Sequence, residues 1–206
     1  QYSENVFFGK PCGLLDQMAS SVGTFVTIDF KSTENPVIKK VEFDFSQSGH
    51  SLCIVDTGGS HSDLTDDYAA VRNEMESVAE AMGKKVLREI EYDDFKNAVP
   101  QLGKMVNDRA LLRAYHFYGE NRRVDKAVDA LESNNFDLFK EIIVESGKSS
   151  YMLNQNVYSP SNPTEQKLSL ALCISEEILR GKGAYSVHGV GFAGTIQAFV
   201  PNDMLD

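Results

Sequence analysis

Apolar residues in this 206-residue chain recur with a period near two in some stretches and near three and a half in others. That change of period separates strands from helices. Residues 24–30, with Phe25, Val26 and Ile28, read as a strand, and residues 37–45 as a second whose alternation leaves one face polar. The turn between them, 31–36, makes the two a hairpin. Ser51-Leu52-Cys53-Ile54-Val55-Asp56 is apolar through its middle and is expected to be a more central strand, ending at the turn Thr57-Gly58-Gly59-Ser60.

From Asp63 the period lengthens. Leu64, Tyr68, Val71, Met75, Val78 and Met82 step by fours and threes, which predicts a helix capped by Ser62 or Asp63 and closed by Gly83. A short helix is expected over 93–102 and a long one over 108–132, with Leu111, Leu112, Tyr115, Tyr118, Val124, Val128 and Leu131 as core positions. On the long helix His116, Glu120 and Arg123 share a face as an ion-pair ladder. Another helix runs over 136–151 through Phe139, Ile142 and Ile143. A last one is expected to open at Asn162-Pro163-Thr164-Glu165, where Asn162 suits the N-cap and Glu165 completes a capping-box spacing. Leu168, Leu172, Ile174 and Ile178 would carry its buried side and Gly181 would end it. The chain then reads as a strand over 184–188, a glycine turn over 189–194 and, over 195–200, a strand with room for a short helical piece at its start.

Composition narrows the chemistry. Thirty acidic against twenty basic residues give a formal net charge of −10, with no Lys/Arg cluster, so nucleic acid and anionic membrane surfaces are poor partners. Cys12, Cys53 and Cys173 are widely spaced and odd in number, which fits neither a disulfide framework nor a zinc site and points to a reducing cytoplasm. No apolar run approaches a membrane span. The opening Gln1-Tyr2-Ser3 reads as the middle of an element, and the chain is expected to be part of a longer one.

Two glycine motifs are decoys. Gly147-Lys148-Ser149 looks like the tail of a phosphate-binding P-loop, but it follows a helix and has Ile142 where that motif needs glycine. Gly189-x-Gly191-x-x-Gly194 satisfies the dinucleotide fingerprint in form, yet twelve residues remain where a helix, a strand and an acidic residue must follow.

The informative stretch is Gly9-Lys10-Pro11-Cys12-Gly13-Leu14-Leu15-Asp16-Gln17-Met18-Ala19, a Gly/Pro turn running into an apolar helical segment that starts near Gly13. Asp16 falls in the first turn, where backbone N–H groups favour an anion; taken alone it reads as a capping carboxylate. The stretch closely resembles the segment of galactokinases, within the GHMP group of small-molecule kinases, that carries their active-site aspartate. Further matches follow in family order. His61-Ser62 and Tyr68 keep the spacing to a sugar-contacting tyrosine. Arg113-x-x-His116-x-x-Gly119-Glu120-x-Arg122-Arg123 looks like the family's long-helix signature, and Glu145-Ser146 like its next one. Gly189-Val190-Gly191-Phe192-Ala193-Gly194 is similar to the group's glycine-rich third motif.

The resemblance implies an α+β fold of GHMP-kinase C-terminal type over 1–206, antiparallel strands layered with about five to six helices. Residues 1–23 would be an active-site segment abutting an N-terminal ATP-binding half. It implies transfer of the ATP γ-phosphoryl group to the C1 hydroxyl of galactose, with ATP and Mg2+ held mainly by that other half. Asp16 would be the base or positioner, Tyr68 would contact the sugar, Gly13 would give backbone access, and Gly189 and Gly191 would line the sugar and phosphate region. No metal ligand is assigned within this chain, which alone is expected to be inactive. Val190 and Ala193 stand where glycines are usual, Ser186 and His188 where an arginine and a small hydroxyl residue are, and Gly58 and Gly59 where asparagine and a small residue are. Sugar choice therefore stays open: a kinase of another sugar such as N-acetylgalactosamine, or a galactose sensor without catalysis, would share these motifs.

Overall fold

The computed structural model describes residues 1–9, 13–32, 34–59 and 64–205. Among these residues six α-helices and five strands are interleaved: α1 (Leu15–Val22), β1 (Val26–Asp29), β2 (Val37–Lys40), β3 (His50–Asp56), α2 (Thr65–Ala81), α3 (Tyr92–Leu102), α4 (Asp108–Glu132), α5 (Phe136–Ser149), α6 (Lys167–Leu179), β4 (Ala184–Val187) and β5 (Thr195–Pro201). Single π-helical turns cover Ser3–Phe7 and Ser150–Asn154. The α+β class with antiparallel strands is as expected.

Helices α2, α3 and α4 pack on one another. Asn107 caps α4 by accepting the Ala110 N–H at 2.8 Å, and Asn135 does the same for α5 through Leu138. Val78 and Ala79 of α2, Phe95 and Leu102 of α3, and Ala110, Ala114 and Tyr118 of α4 share one core with Leu87 and Ile90. The Tyr118 hydroxyl donates to the carbonyls of Leu87 and Ile90, and burial, with the charges of Glu91 and Asp94 adding, pushes its pKa up to about 12.

The strands form two sheets. β1 and β2 pair as the expected antiparallel hairpin, in register Val26 to Lys40. Behind it Phe25, Phe43 and Phe45 interlock with Phe136 and Phe139 of α5 and Phe199 of β5. The second sheet has the order β3-β5-β4, all antiparallel. Alternation along its strands serves two layers: Ala184 and Phe199 face α4 and α5, while Tyr185 and Ala198 face α6.

Four readings are corrected. The strand at 51–56 is an edge, not a centre: β5 takes the middle, and Leu52 and Ile54 stand about half exposed on the open side. The last helix starts at Lys167, because the Asn162 carbonyl and side chain are used in a turn, accepting from the Glu165 N–H and the Thr164 hydroxyl. On it Leu168, Leu172 and Leu179 are inside, whereas Ile174 and Ile178 lie round the helix and are exposed. Val124 is exposed because it borders an open cavity of about 770 Å³ between the β1–β2 hairpin and α4.

Both glycine decoys now have physical accounts. Gly147 lies inside α5, where a Cβ would come within 3.1–3.2 Å of Ser186 and the Tyr185 carbonyl, so its absence lets the helix lie close on β4. The 189–194 glycines lead into β5 and not into a helix.

Candidate functional site

The β4–β5 turn is held open by backbone that bends the wrong way for most residues. Gly189, Gly191, Phe192 and Gly194 all have positive φ, at 71°, 83°, 62° and 90°. Glycine accepts this freely, while a buried aromatic residue does so only under constraint. A Cβ on Gly191 would run into the carbonyl oxygen of Asn156.

Three segments distant in sequence close round this turn. Thr57, just after β3, donates its N–H and hydroxyl to the Gly194 carbonyl at 2.9 and 2.7 Å. A Cβ on Gly59 would sit 3.2 Å from that of Ala193, so this turn approaches the other closely. Leu64, Tyr68 and Val71, at the start of α2, pack on Phe192 and Ala193; the Tyr68 and Phe192 rings meet edge to face with centroids 5.6 Å apart. Asn156 supplies the third wall, accepting the Phe192 N–H on its carbonyl and donating from Nδ2 to the Val190 carbonyl at 3.0 Å.

Tyr68 thus stays half-buried. Burial and, second, the negative charge of Asp67 push its phenol above the usual range, so it is a hydroxyl donor at neutral pH. Asp67 is itself buried and accepts from the Ser159 hydroxyl.

Behind this wall lies a buried polar network that sequence reasoning missed. Glu74 of α2 takes a bidentate pair from Arg109 and a further bond from Arg113 Nη1 at 2.8 Å. Arg113 is 1% exposed, and its Nε donates to the Asn154 carbonyl at 3.0 Å. Burial pushes the Glu74 carboxyl up, but the two guanidinium groups together outweigh it and hold the carboxyl below its usual range. Arg113 opens the long-helix signature, but its pairing with Glu74, 39 residues away, leaves no local trace.

The long-helix signature is structural throughout. His116 Nδ1 lies 2.9 Å from the Ser149 hydroxyl, Glu120 takes Ser146 and Arg123, and Arg122 sits over the Tyr92 ring at 4.3 Å. The ladder of His116, Glu120 and Arg123 is present, with α5 as its second rail.

Of the sequence-predicted site residues, Tyr68 meets the turn that carries Gly189 and Gly191, through Phe192. Asp16 does fall in the first turn of α1, is exposed and has no side-chain partner among the described residues. Gly13 precedes it with open space where a Cβ would be. α1 packs on β1. Lys10, Pro11, Cys12, Ser60, His61, Ser62 and Asp63, which entered the motif reading and the cap of α2, lie outside the described residues. Neither the large hairpin cavity nor one of about 300 Å³ between α5, α6 and β4 takes in Asp16, Tyr68 or the glycine turn. No helix among the described residues is long and apolar enough to cross a membrane.

No family model matches the chain. Individual proteins do. A galactokinase from Glaesserella parasuis serovar 5 (strain SH0165) is 27% identical over 212 residues, taking in all of this chain and 51% of that protein. A galactokinase from Streptomyces coelicolor is 29% identical over 195 residues, 95% of this chain and 48% of that protein. The crystal structure of Lactococcus lactis galactokinase complexed with galactose superposes with a TM-score of 0.76 at 21% identity, covering 98% of this chain and 50% of that one. The chain spans about half the length of the curated relatives it matches. It is therefore galactokinase-like from end to end, with the fold of a galactokinase and the extent of the C-terminal part of one.

Proposed function

We propose that this chain is the C-terminal part of a sugar kinase that transfers the γ-phosphoryl group of ATP to the C1 hydroxyl of galactose. One observation carries the reading: Tyr68 and the 189–194 turn, more than 120 residues apart, pack ring to ring in a fold that matches galactokinases along its whole length.

In this reading the Asp16 carboxylate takes the proton of the C1 hydroxyl or holds it in line. The C1 oxygen bonds to the γ-phosphorus as the bond to the bridging oxygen breaks, and ADP departs. Asp16 is suited to this by standing exposed in the first turn of a helix. The Tyr68 hydroxyl donates to the sugar, and the glycines of the turn let its backbone approach sugar and phosphate. Mg2+ would accompany ATP. Among the described residues no three His, Cys, Asp or Glu side chains cluster as a metal ion requires, so no step is assigned to it here. ATP and metal would belong mainly to an N-terminal half.

The test is a coupled ADP-release assay with ATP and galactose on the protein carrying its upstream half, wild type beside Asp16→Asn. The variant should lose a factor of about 10² to 10⁴ in kcat, as removal of general-base assistance does. Undiminished turnover overturns the role of Asp16. Phosphorylation by residues 1–206 alone overturns the need for a second half. N-acetylgalactosamine in a parallel arm decides the sugar, and galactose binding without turnover would make the protein a sensor.

A further inference from the structure

The wall that carries Tyr68 is set by residues that no motif includes. Phe192 is 5% exposed and sits at φ 62°, a conformation a bulky side chain adopts only when its surroundings dictate it. Leu64, Tyr68, Val71 and Ala193 pack on its side chain, and Asn156 holds its backbone. The Asn156 carbonyl accepts the Phe192 N–H and presses against the open side of Gly191, and its amide holds the preceding carbonyl, that of Val190. One residue therefore grips the peptide units on both sides of Gly191.

The grip is itself anchored. Asn156 is 4% exposed, and Gln155 before it takes the left-handed conformation. Asn154 receives the buried Arg113 on its carbonyl, and Ser159 donates to Asp67 one residue before Tyr68. The 154–159 segment is thereby tied to α4 at one end and to the Tyr68 turn of α2 at the other. The Asn156 Oδ1 is buried with no hydrogen-bond partner among the described residues, a destabilising feature that an apolar side chain would avoid. Retention of the amide despite it is explained by the bond to Val190.

We propose that Asn156 and Phe192 are positioning residues for the sugar-binding wall: Asn156 locks the 190–192 backbone so that the Phe192 ring fixes where Tyr68 presents its hydroxyl. This rests on the kinase reading for its substrate, but not for its geometry. The edge-to-face contact is what transmits it. If the Asn156 grip is released, the Gly191 flanks are free to rotate, Phe192 relaxes to negative φ, and its ring leaves Tyr68.

The experiment has two arms. In the protein with its upstream half, Asn156→Ala and Phe192→Leu should raise the KM for galactose about tenfold while kcat stays within threefold and the KM for ATP holds. In the 206-residue chain, amide exchange at Phe192 should accelerate at least tenfold in Asn156→Ala. The Tyr68 ring resonances should move, while the Val78 and Ala114 amides keep their protection. Unchanged Phe192 exchange overturns the proposal. So does a fall in kcat at constant galactose KM, or a loss of protection spread over the whole domain, since either makes Asn156 a stability residue only. Should wild type not phosphorylate galactose, the kinase reading fails, and exchange at Phe192 with the Tyr68 signals still decides the clasp.

Discussion

The α2–α3–α4 core and the first twenty-two residues are built from the same kinds of side chain and meet opposite fates. In the core, Val78, Phe95, Ala110 and Ala114 are wholly buried. In the N-terminal segment neither the Ser3–Phe7 turn nor α1 buries a single residue, and Tyr2, Phe7, Phe8 and Leu15 are 57–81% exposed. Apolar periodicity is enough to predict a helix, but burial needs a facing surface of matching shape. α1 has eight residues, short of the length at which a helix holds itself together in water. The Asp16 helix and the Tyr68 wall thus differ in what supports them: the wall is cross-braced by buried polar bonds, the helix by its contact with β1.

The largest effect should come from breaking the brace. Glu74→Ala leaves Arg113, 1% exposed, without its countercharge, at a cost of about 3 kcal/mol in urea unfolding, in line with removing one partner of a buried pair. The double change Glu74→Leu with Arg113→Met should recover part of that loss, because no fully buried charge is left unpaired while the half-exposed Arg109 and the Asn154 carbonyl still lose a partner. Because the folded state holds the Glu74 carboxyl below its usual value, the stabilisation is present above the unfolded pKa and is lost as pH falls through the folded one. A variant as stable as wild type would mean that the network is not what secures α2 to α4.

A smaller effect, visible only against pH, belongs to His116. Burial lowers its pKa, with Glu120 opposing and Arg123 assisting, and its Nδ1 faces the Ser149 hydroxyl. The unfolded chain therefore takes up a proton near pH 6.5 that the folded chain refuses, so stability should fall as pH drops below that value. One such group accounts for at most about 1.4 kcal/mol per pH unit. His116→Gln should flatten the unfolding free energy between pH 7 and 5.5; an unchanged slope would assign the acid sensitivity elsewhere.

What could be read beforehand follows the range of the forces involved. The α4 limits were readable because Asn107 caps locally and the apolar positions repeat over seven turns. The hairpin was readable from the turn at 31–36, and the approach of Tyr68 to the glycine turn came through the family likeness rather than through spacing. The edge position of β3 was not, since strand order is set by partners far along the chain, as in the pairing of His50 with Pro201. Asn162 illustrates competition between two good local solutions: it has the chemistry of an N-cap, and the chain spends it on a turn five residues earlier than α6. Asn156 was invisible because its partners are the carbonyl of Val190 and the N–H of Phe192, which any sequence supplies.

The smallest expected effect is also the sharpest test of the contrast. Phe7→Ser with Phe8→Ser removes two aromatic rings, 76% and 81% exposed, from a segment without buried residues. Aromatic truncation in a core costs about 3–5 kcal/mol, whereas substitutions at unengaged surface positions fall within about 0.5 kcal/mol. Phe7 touches the Tyr2 ring edge-on at a centroid distance of 6.0 Å, a contact made within the segment. The double variant of the 206-residue chain should therefore unfold in urea at the wild-type midpoint and with the wild-type slope. A loss above about 1 kcal/mol would show that the segment leans on the domain after all, and Asp16 would then share the bracing of the Tyr68 wall.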